Sequence, residues 1–273
     1  MLFTLGGIAA TLAALELFLR FLPVSTSTAT GYYIDPMILT YPAHHKFIVS
    51  TGWDLKNAQT HVTNNYGFVA DHDFGSNENA VALIGDSFVE ASMLASDERL
   101  APQLESRLTG RPVYALGGPG SSLLDYAERI RFASSKFGVH DFVLLLEYGD
   151  VGQALCGSGN IHAQCLDANT LAPTIERRPA AGILKQVFRN VALTQYLFSQ
   201  LKLDPALWTE NLSTKLHIRN PESKPDEHRD PMNVAPNASQ KVNDEFFDRV
   251  RPYPKTHLIL ILMGTHNTTG KKP

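Results

Sequence analysis

The chain has 273 residues, of which 44% are hydrophobic and 19% are charged, and its formal net charge is −3. This composition is typical of a globular protein and excludes a disordered polyelectrolyte. The lysines and arginines are scattered rather than clustered, so we expect no nucleic-acid partner. The length suits one large α/β domain, or one domain with a substantial insertion.

The first 24 residues form an apolar segment in which Glu16 and Arg20 are the only charged residues. The segment is long enough for a membrane-spanning helix, which needs ~20 residues. The two charges are four positions apart, so they can pair on one face of a helix. We therefore predict a signal anchor over residues 1–24. A cleaved secretory signal and a buried core helix remain as alternatives.

After an irregular lead-in over residues 25–75, strand-like and helix-like stretches alternate along the chain. Such alternation predicts a parallel sheet with helices covering both faces. The apolar runs and helical stripes place these first elements as follows: strands at Ala80–Ile84, Pro112–Leu116 and Asp141–Tyr148, and helices near Ser96–Leu108 and Ser121–Phe137.

From residue 151 to about residue 244 the alternation breaks down, and Gly, Pro, Asn and charged residues dominate. One helix is predicted there, around Ile183–Leu203. A further helix near Gln240–Val250 and a last strand at His257–Met263 follow. We therefore predict an α/β domain over residues 76–273 that carries an insertion at about 151–244.

The two cysteines, Cys156 and Cys165, bracket a short polar loop that contains glycine. Two cysteines at this spacing in an exported chain favour a disulfide and an oxidising compartment. A metal site that also uses His162 is the alternative, but three ligands with a single histidine are a weak pattern for zinc. We predict the disulfide and no metal.

The first strand of the alternating region ends in Gly85-Asp86-Ser87. A serine at a strand-to-helix turn projects its hydroxyl past the carboxyl edge of the sheet. The N–H groups at the start of the next helix point toward developing negative charge. These are the needs of a nucleophilic serine with an oxyanion hole. A turn that merely caps a helix is the alternative.

The strand, the run Gly-Asp-Ser-Phe-Val-Glu and the second strand's ending Gly117-Gly118-Pro119-Gly120-Ser121 together resemble the SGNH/GDSL hydrolase family. The similarity is greatest to membrane-anchored bacterial members related to polysaccharide O-acetyl esterases and acetyltransferases, and it covers about residues 64–150. It implies a three-layer, flavodoxin-like α/β fold. It also implies an esterase or acetyltransferase that acts without a cofactor on a carbohydrate ester, from a single inner-membrane helix with the domain in the periplasm.

The resemblance also assigns roles to individual residues. It makes Ser87 the nucleophile, Gly120 a backbone donor of the oxyanion hole and Asp150 an orienting residue. Asp86, which can hold the turn by accepting backbone hydrogen bonds, is a further site candidate. Glu90 matches an acidic residue that often follows Gly-Asp-Ser-Phe in these relatives, with a helix-capping role as the equal alternative. Thr63-Asn64-Asn65-Tyr66-Gly67-Phe68 resembles an element that precedes the first strand in these relatives, with a structural turn as the equal alternative.

Two departures from the family pattern bear on activity. Gly149 stands where an asparagine donor is expected, and none of the ten histidines follows an aspartate by three positions. His266, just after the last predicted strand, is the remaining candidate base. The chain is thus either truncated or altered near its end, or a divergent member without a standard base. A non-catalytic scaffold or glycan-binding relative is the alternative from another class. A flavodoxin-like domain whose Gly-Asp-Ser turn binds an anion is a third alternative.

Overall fold

The computed structural model describes residues 2–158, 163–176, 189–203, 234–253 and 256–263. The chain divides into two compact units. The first comprises residues 1–29, 46–62 and 179–227, and the second comprises residues 30–45, 63–178 and 228–273. The parallel sheet and all the described candidate site residues belong to the second unit.

The described helices and strands are named here in chain order. The helices are α1 (Leu2–Leu19), α2 (Ser87–Glu90), α3 (Leu100–Glu105), α4 (Leu123–Phe137), α5 (Asp150–Gln153), α6 (Ala192–Thr194) and α7 (Pro236–Val250). The strands are β1 (Gly31–Asp35), β2 (Ile38–Thr40), β3 (Lys46–Thr51), β4 (Lys56–Val62), β5 (Val81–Gly85), β6 (Val113–Gly117), β7 (Asp141–Leu146), β8 (Cys165–Leu166), β9 (Pro173–Thr174) and β10 (His257–Leu262).

The second unit contains a sheet of four parallel strands in the order β10-β7-β5-β6. Every residue of β5 and of β6 is buried. Continuous apolar runs of this kind belong to strands that are covered on both faces. The predicted α/β class is therefore confirmed, and the sheet is compatible with a flavodoxin-like fold. Each of its strands lies within two residues of the predicted range.

Different helices pack on the two faces of the sheet. Successive side chains of a strand point to opposite faces, so neighbouring residues belong to different apolar clusters. Ala82 and Ile84 belong to the apolar cluster that includes α4 and α7 side chains such as Ile130 and Phe246. Val81 and Leu83 belong to the opposite cluster, which includes residues of α2 and α3. Helices consequently cover both faces and place the carboxyl ends of β5 and β6 next to their loops.

Helix α4 begins and ends as its sequence dictates. The Ser122 hydroxyl and the Asp125 carboxylate form a reciprocal capping box at the first turn. Gly138 ends the helix in the left-handed region, at φ 74°. The predicted helix near Ser121–Phe137 is therefore confirmed. It begins directly after the loop that follows β6.

The predicted helix near Ser96–Leu108 is wrong in its extent. A 3₁₀ turn over Ser96–Glu98 precedes α3, which begins at Leu100. Pro102 explains the break, because proline lacks the N–H of a helix interior and is accommodated in the first turn.

The lead-in over residues 25–75, predicted to be irregular, contains two antiparallel hairpins, β1-β2 and β3-β4. Strands β1, β3 and β4 are mostly exposed or half-buried, so they lack the continuous apolar run that marks β5 and β6 in the sequence. The insertion likewise contains the small β8-β9 pair. Part of the helix predicted around Ile183–Leu203 is described, as α6 and a π-helical turn over Gln195–Gln200, and residues 183–188 lie outside the described ranges.

Helix α1 belongs to the first unit. Within the described ranges, no helix combines the length and the apolar character that crossing a bilayer requires. Arg20 pairs with Glu16 at 2.8 Å, as the four-residue spacing predicts. The Glu16 carboxylate also accepts the N–H groups of Ala192 and Leu193, at 3.1 and 2.8 Å. The signal anchor over residues 1–24 stays a prediction.

Candidate active site

Ser87 is the first residue of α2, and only Asp86 separates it from the end of β5. Asp86 is the N-cap, and its carboxylate accepts the N–H of Phe88 at 2.8 Å. The Ser87 side chain is exposed, although Asp86 before it and Val89 after it are buried. The strand-turn-helix geometry expected for a nucleophilic serine is thus present at an interior strand of the sheet. The same cap also fits the helix-capping alternative.

The loop after β6 packs directly on the Ser87 turn. A Cβ on Gly117 would lie 2.3 Å from the backbone nitrogen of Glu90, so only glycine allows α2 this close to β6. The N–H of Gly118 donates to the Asp86 carbonyl at 3.2 Å. Gly120, the expected oxyanion donor, lies two residues further on with φ +68°. The structure therefore places the two predicted backbone elements side by side.

A buried arginine that the sequence did not indicate holds this arrangement together. Arg129 of α4 is 2% exposed. Its guanidinium donates to the carbonyl oxygens of Gly85 and Leu116, at 2.6 and 3.1 Å, and to the Ser121 hydroxyl at 2.5 Å. Burial lowers its pKa, opposed by nearby carboxylates such as Asp125. In the sequence, Arg129 lies beside the apolar stripe of α4. Such a stripe does not show whether an arginine at its border is buried or exposed, so the buried position could not be predicted.

Glu90 ends α2 and is 3% exposed. Burial raises the pKa of its carboxyl group to about 7, opposed in part by the charge of Arg129. The Tyr41 hydroxyl donates to Glu90 Oε1 at 3.5 Å. Both side chains border a small cavity together with Gly120 and Arg129. Glu90 therefore lies inside the site region rather than on an exposed helix turn.

Asp86, Glu147 and Asp150 form a second group at the carboxyl ends of β5 and β7, which we call the carboxylate cluster. One oxygen from each lies within 4.8 Å of the others. Burial, together with the other two carboxylates, raises the pKa of Asp150 to about 7. Burial and the Asp86 carboxylate also raise the pKa of Glu147. The cluster places three carboxyl groups immediately beside the Ser87 turn, and their proximity favours bound protons on Glu147 and Asp150.

The expected orienting residue, Asp150, has partners other than a histidine. Its Oδ2 accepts the Tyr126 hydroxyl at 3.0 Å and the Glu147 N–H at 2.8 Å. These bonds fix the loop after β7, where Gly149 supplies no side-chain donor. Asp150 thus lies at the site edge of the sheet, but its described contacts orient the backbone of that loop and the Tyr126 ring.

No histidine among the described residues reaches Ser87. His72 contacts Glu105 at 3.1 Å, and His257 contacts Asp141 at 2.7 Å. His257 and Asp141 begin β10 and β7, so this pair lies at the opposite edge of the sheet from the serine. The candidate base His266 lies outside the described residues.

The predicted disulfide is present between Cys156 and Cys165, with a Cα–Cα distance of 5.1 Å. It closes the loop that begins three residues after α5. His162, the third ligand of the alternative metal site, lies outside the described residues. Because the two sulfurs are bonded to each other, the thiolates that a zinc site needs are consumed.

The Asn64–Phe68 element is a turn. The Asn64 side-chain oxygen accepts the N–H groups of Tyr66 and Phe68, each at 3.0 Å. Gly67 has φ +77°, and a Cβ there would lie 1.9 Å from the Tyr41 carbonyl oxygen. These contacts support the structural alternative for the element, because Asn64 is 4% exposed and its carbonyl oxygen is used internally.

Comparison with known proteins adds no assignment: no protein-family model matches the chain, and no curated protein matches it. The site is therefore defined by its own geometry. It comprises an exposed serine on a glycine-packed turn, flanked by a buried arginine, a buried glutamate and the carboxylate cluster.

Proposed function

We propose that this chain is a serine esterase or acyltransferase of the SGNH type. The observation that carries the proposal is the exposed Ser87 hydroxyl at the carboxyl edge of the parallel sheet, with the Gly117–Gly120 loop packed on its turn. In the proposed reaction Ser87 Oγ attacks an ester carbonyl, the hydroxyl proton passes to a base, and the alcohol leaves with a proton. Water or an acceptor hydroxyl then takes the acyl group from Ser87.

Two backbone N–H groups support charge stabilisation in this proposal. A helix-initiating residue such as Ser87 has no intrahelical acceptor for its N–H, and Gly120 lies in the adjoining loop. Donors of this kind act on the oxyanion that develops when the serine attacks. Gly149 supplies no third donor, so we expect a slower enzyme than one with a complete hole, by roughly 10²–10³ in rate.

The substrate and location belong to the same proposal. We assign a carbohydrate ester, with acetyl as the acyl group, from the resemblance of the Gly-Asp-Ser-Phe-Val-Glu segment. The Cys156–Cys165 disulfide supports an oxidising compartment such as the periplasm. Residues 1–24 are proposed as the attachment to the inner membrane.

A second candidate function is a non-catalytic scaffold or glycan-binding domain. The observation that favours it is that, among the described residues, the Ser87 hydroxyl has no histidine partner. Asp150, which would orient such a histidine, instead bonds Tyr126 and the Glu147 backbone.

Fluorophosphonate labelling of the full chain separates the two candidates. An activated serine is labelled, and labelling disappears in Ser87→Ala but persists in Ser76→Ala, a substitution at an exposed serine outside the site. Loss of labelling in His266→Ala, with Ser87 still present, assigns the base. A folded, disulfide-intact chain that is not labelled contradicts the esterase proposal and favours the scaffold.

A further inference from the structure

A cavity of about 220 Å³ opens at the carboxyl edge of the sheet, between the ends of β7 and β10 and helices α4, α5 and α7. Its wall is partly apolar and includes Leu146 and Leu262. Glu147 and Asp150 belong to the same lining. A concave apolar site with a few convergent polar groups is the usual form of a small-molecule site. The cavity is smaller than those that hold drug-sized ligands, so its occupant is small.

When Glu147 and Asp150 are ionised, no described cation in the cavity lining neutralises their charge. No lysine, arginine or histidine is among its described lining residues. Neither Glu147 nor Asp150 takes part in an ion pair within the part of the chain that the structure describes. Arg129 interacts electrostatically with Asp86 of the cluster, but its guanidinium is bound to the Gly85 and Leu116 carbonyl groups.

A buried acceptor in this wall also lacks a partner. Asp150 is 1% exposed, and its Oδ1 makes no hydrogen bond in the described structure, whereas its Oδ2 is bound by Tyr126 and by the Glu147 N–H. Leaving such an atom unpaired costs roughly 1–3 kcal/mol, more for a charged group. A donor from a ligand would remove that cost.

We propose that this cavity binds the ammonium group of a small, hydroxylated organic amine, with Glu147 and Asp150 as its counter-charges. Ser239 and Asn243 lie four residues apart on α7, and both line the cavity. Their side chains form hydrogen bonds with the hydroxyl groups of the same ligand. The apolar wall takes the carbon skeleton. Tyr148, 59% exposed at the rim, offers an aromatic face that attracts a cation.

The carboxylate cluster alone would also suit a divalent metal ion, but the surrounding cavity favours the amine. Calcium takes 6–8 oxygen ligands, and magnesium retains several waters in an octahedral shell. The cluster supplies three carboxylates, and much of the remaining lining is apolar. An organic cation uses both the charge and the apolar wall, whereas a metal ion uses only the charge.

The position of the cavity connects it to Ser87. Asp86 is a member of the carboxylate cluster and directly precedes the serine. An amine held by Glu147 and Asp150 therefore brings its hydroxyl groups near the place where an acyl-serine would form. The role of the amine as acyl acceptor rests on the proposed function, whereas binding in the cavity does not.

The test compares glucosamine with glucose, which differ by an amine in place of one hydroxyl group. Each is titrated into the full chain and followed by calorimetry at about pH 7, where the amine of glucosamine is protonated and Asp150, with a pKa of about 7, is partly ionised. We expect glucosamine to bind at least about tenfold more tightly than glucose. Glu147→Gln removes most of that preference, and Asn243→Ala weakens both sugars. Glu98→Gln, which removes the same charge at an exposed site outside the cavity, leaves the preference unchanged.

Equal affinity for glucosamine and glucose overturns the inference. An equal loss of the preference for glucosamine in Glu147→Gln and in Glu98→Gln overturns it as well. Calcium or magnesium binding that disappears in Glu147→Gln, without any preference for the amine, assigns the cluster to a metal instead. The same titration of Ser87→Ala separates this inference from the esterase proposal. Glucosamine binding to a chain that fluorophosphonate does not label would uphold the cavity assignment and contradict the enzyme.

Discussion

The guanidinium of Arg129 joins the last residue of β5 to β6, donating to the Gly85 carbonyl oxygen at 2.6 Å and to the Leu116 carbonyl oxygen at 3.1 Å. A third bond holds Ser121, which follows the glycine loop. Arg129 therefore positions both halves of the candidate site while being almost fully buried. Its removal should affect folding and the site together.

Arg129→Met is expected to lower the free energy of unfolding by roughly 2–5 kcal/mol, because it leaves several buried acceptors without their donor. Urea denaturation measures the change. Arg107→Met, which removes an exposed arginine from the loop between α3 and β6, should change stability by less than about 0.5 kcal/mol. Equal effects of the two substitutions would contradict the positioning role of Arg129.

Gly117→Ala is expected to reduce both stability and Ser87 labelling. The new Cβ would lie 2.3 Å from the Glu90 backbone nitrogen, so α2 must move away from β6. Overpacking of this kind costs roughly 1–3 kcal/mol. Gly75→Ala is the matched control, because a Cβ there meets no atom within 4 Å. Thermal unfolding and fluorophosphonate labelling of both variants check the prediction.

The buried Glu90 should make the chain less stable as the pH rises. Its folded-state pKa of about 7 lies above the ordinary value of 4.5, so between these values the folded state holds a proton that the unfolded state has lost. The free energy of unfolding therefore falls from about pH 4.5 to about pH 7, by on the order of 3 kcal/mol for this group, and then levels off.

Urea denaturation between about pH 5 and pH 8 tests that slope. Glu90→Gln stays neutral throughout and should flatten the decline, leaving the share that Asp150 contributes through its own raised pKa. Glu98→Gln, at an exposed site, should keep the slope of the unsubstituted chain. An unchanged slope in Glu90→Gln would show that Glu90 ionises normally in the folded state.

Removing the disulfide should destabilise the chain by roughly 2–3 kcal/mol, as the chain-entropy account predicts for a short closed loop. Cys156 and Cys165 are separated by nine positions. The double substitution to serine, compared with the oxidised chain by urea denaturation, measures the difference. Adding a reductant should lower the stability of the unsubstituted chain and leave that of the double variant unchanged.

The sequence predicted the sheet well because continuous apolar runs such as Ala80–Ile84 have few alternatives when turn residues bound them. The disulfide could also be predicted, because the chain has only two cysteines. Strands such as β1 are mostly exposed or half-buried, so they lack a continuous apolar run. The break before α3 depended on the position of Pro102 within the first helical turn.

Only part of the candidate site could be predicted from the sequence. Ser87 and the glycine loop were evident, because local backbone geometry selects their residue types. Arg129 and the grouping of Asp86 with Glu147 depend on which strands become neighbours. That information is distributed over the whole chain. A local pattern therefore gave a serine turn but not the charges around it.

The central position of β5 has a consequence for the order of folding. This strand is synthesised before both of its hydrogen-bonding neighbours, β6 and β7. Chains emerge from the ribosome at about 5–20 residues per second, so β5 is exposed before either partner exists. The turn at Ser87 therefore reaches its final surroundings only after β7 has been synthesised and has paired. A nascent chain arrested before residue 141 would display the serine without its carboxylate cluster.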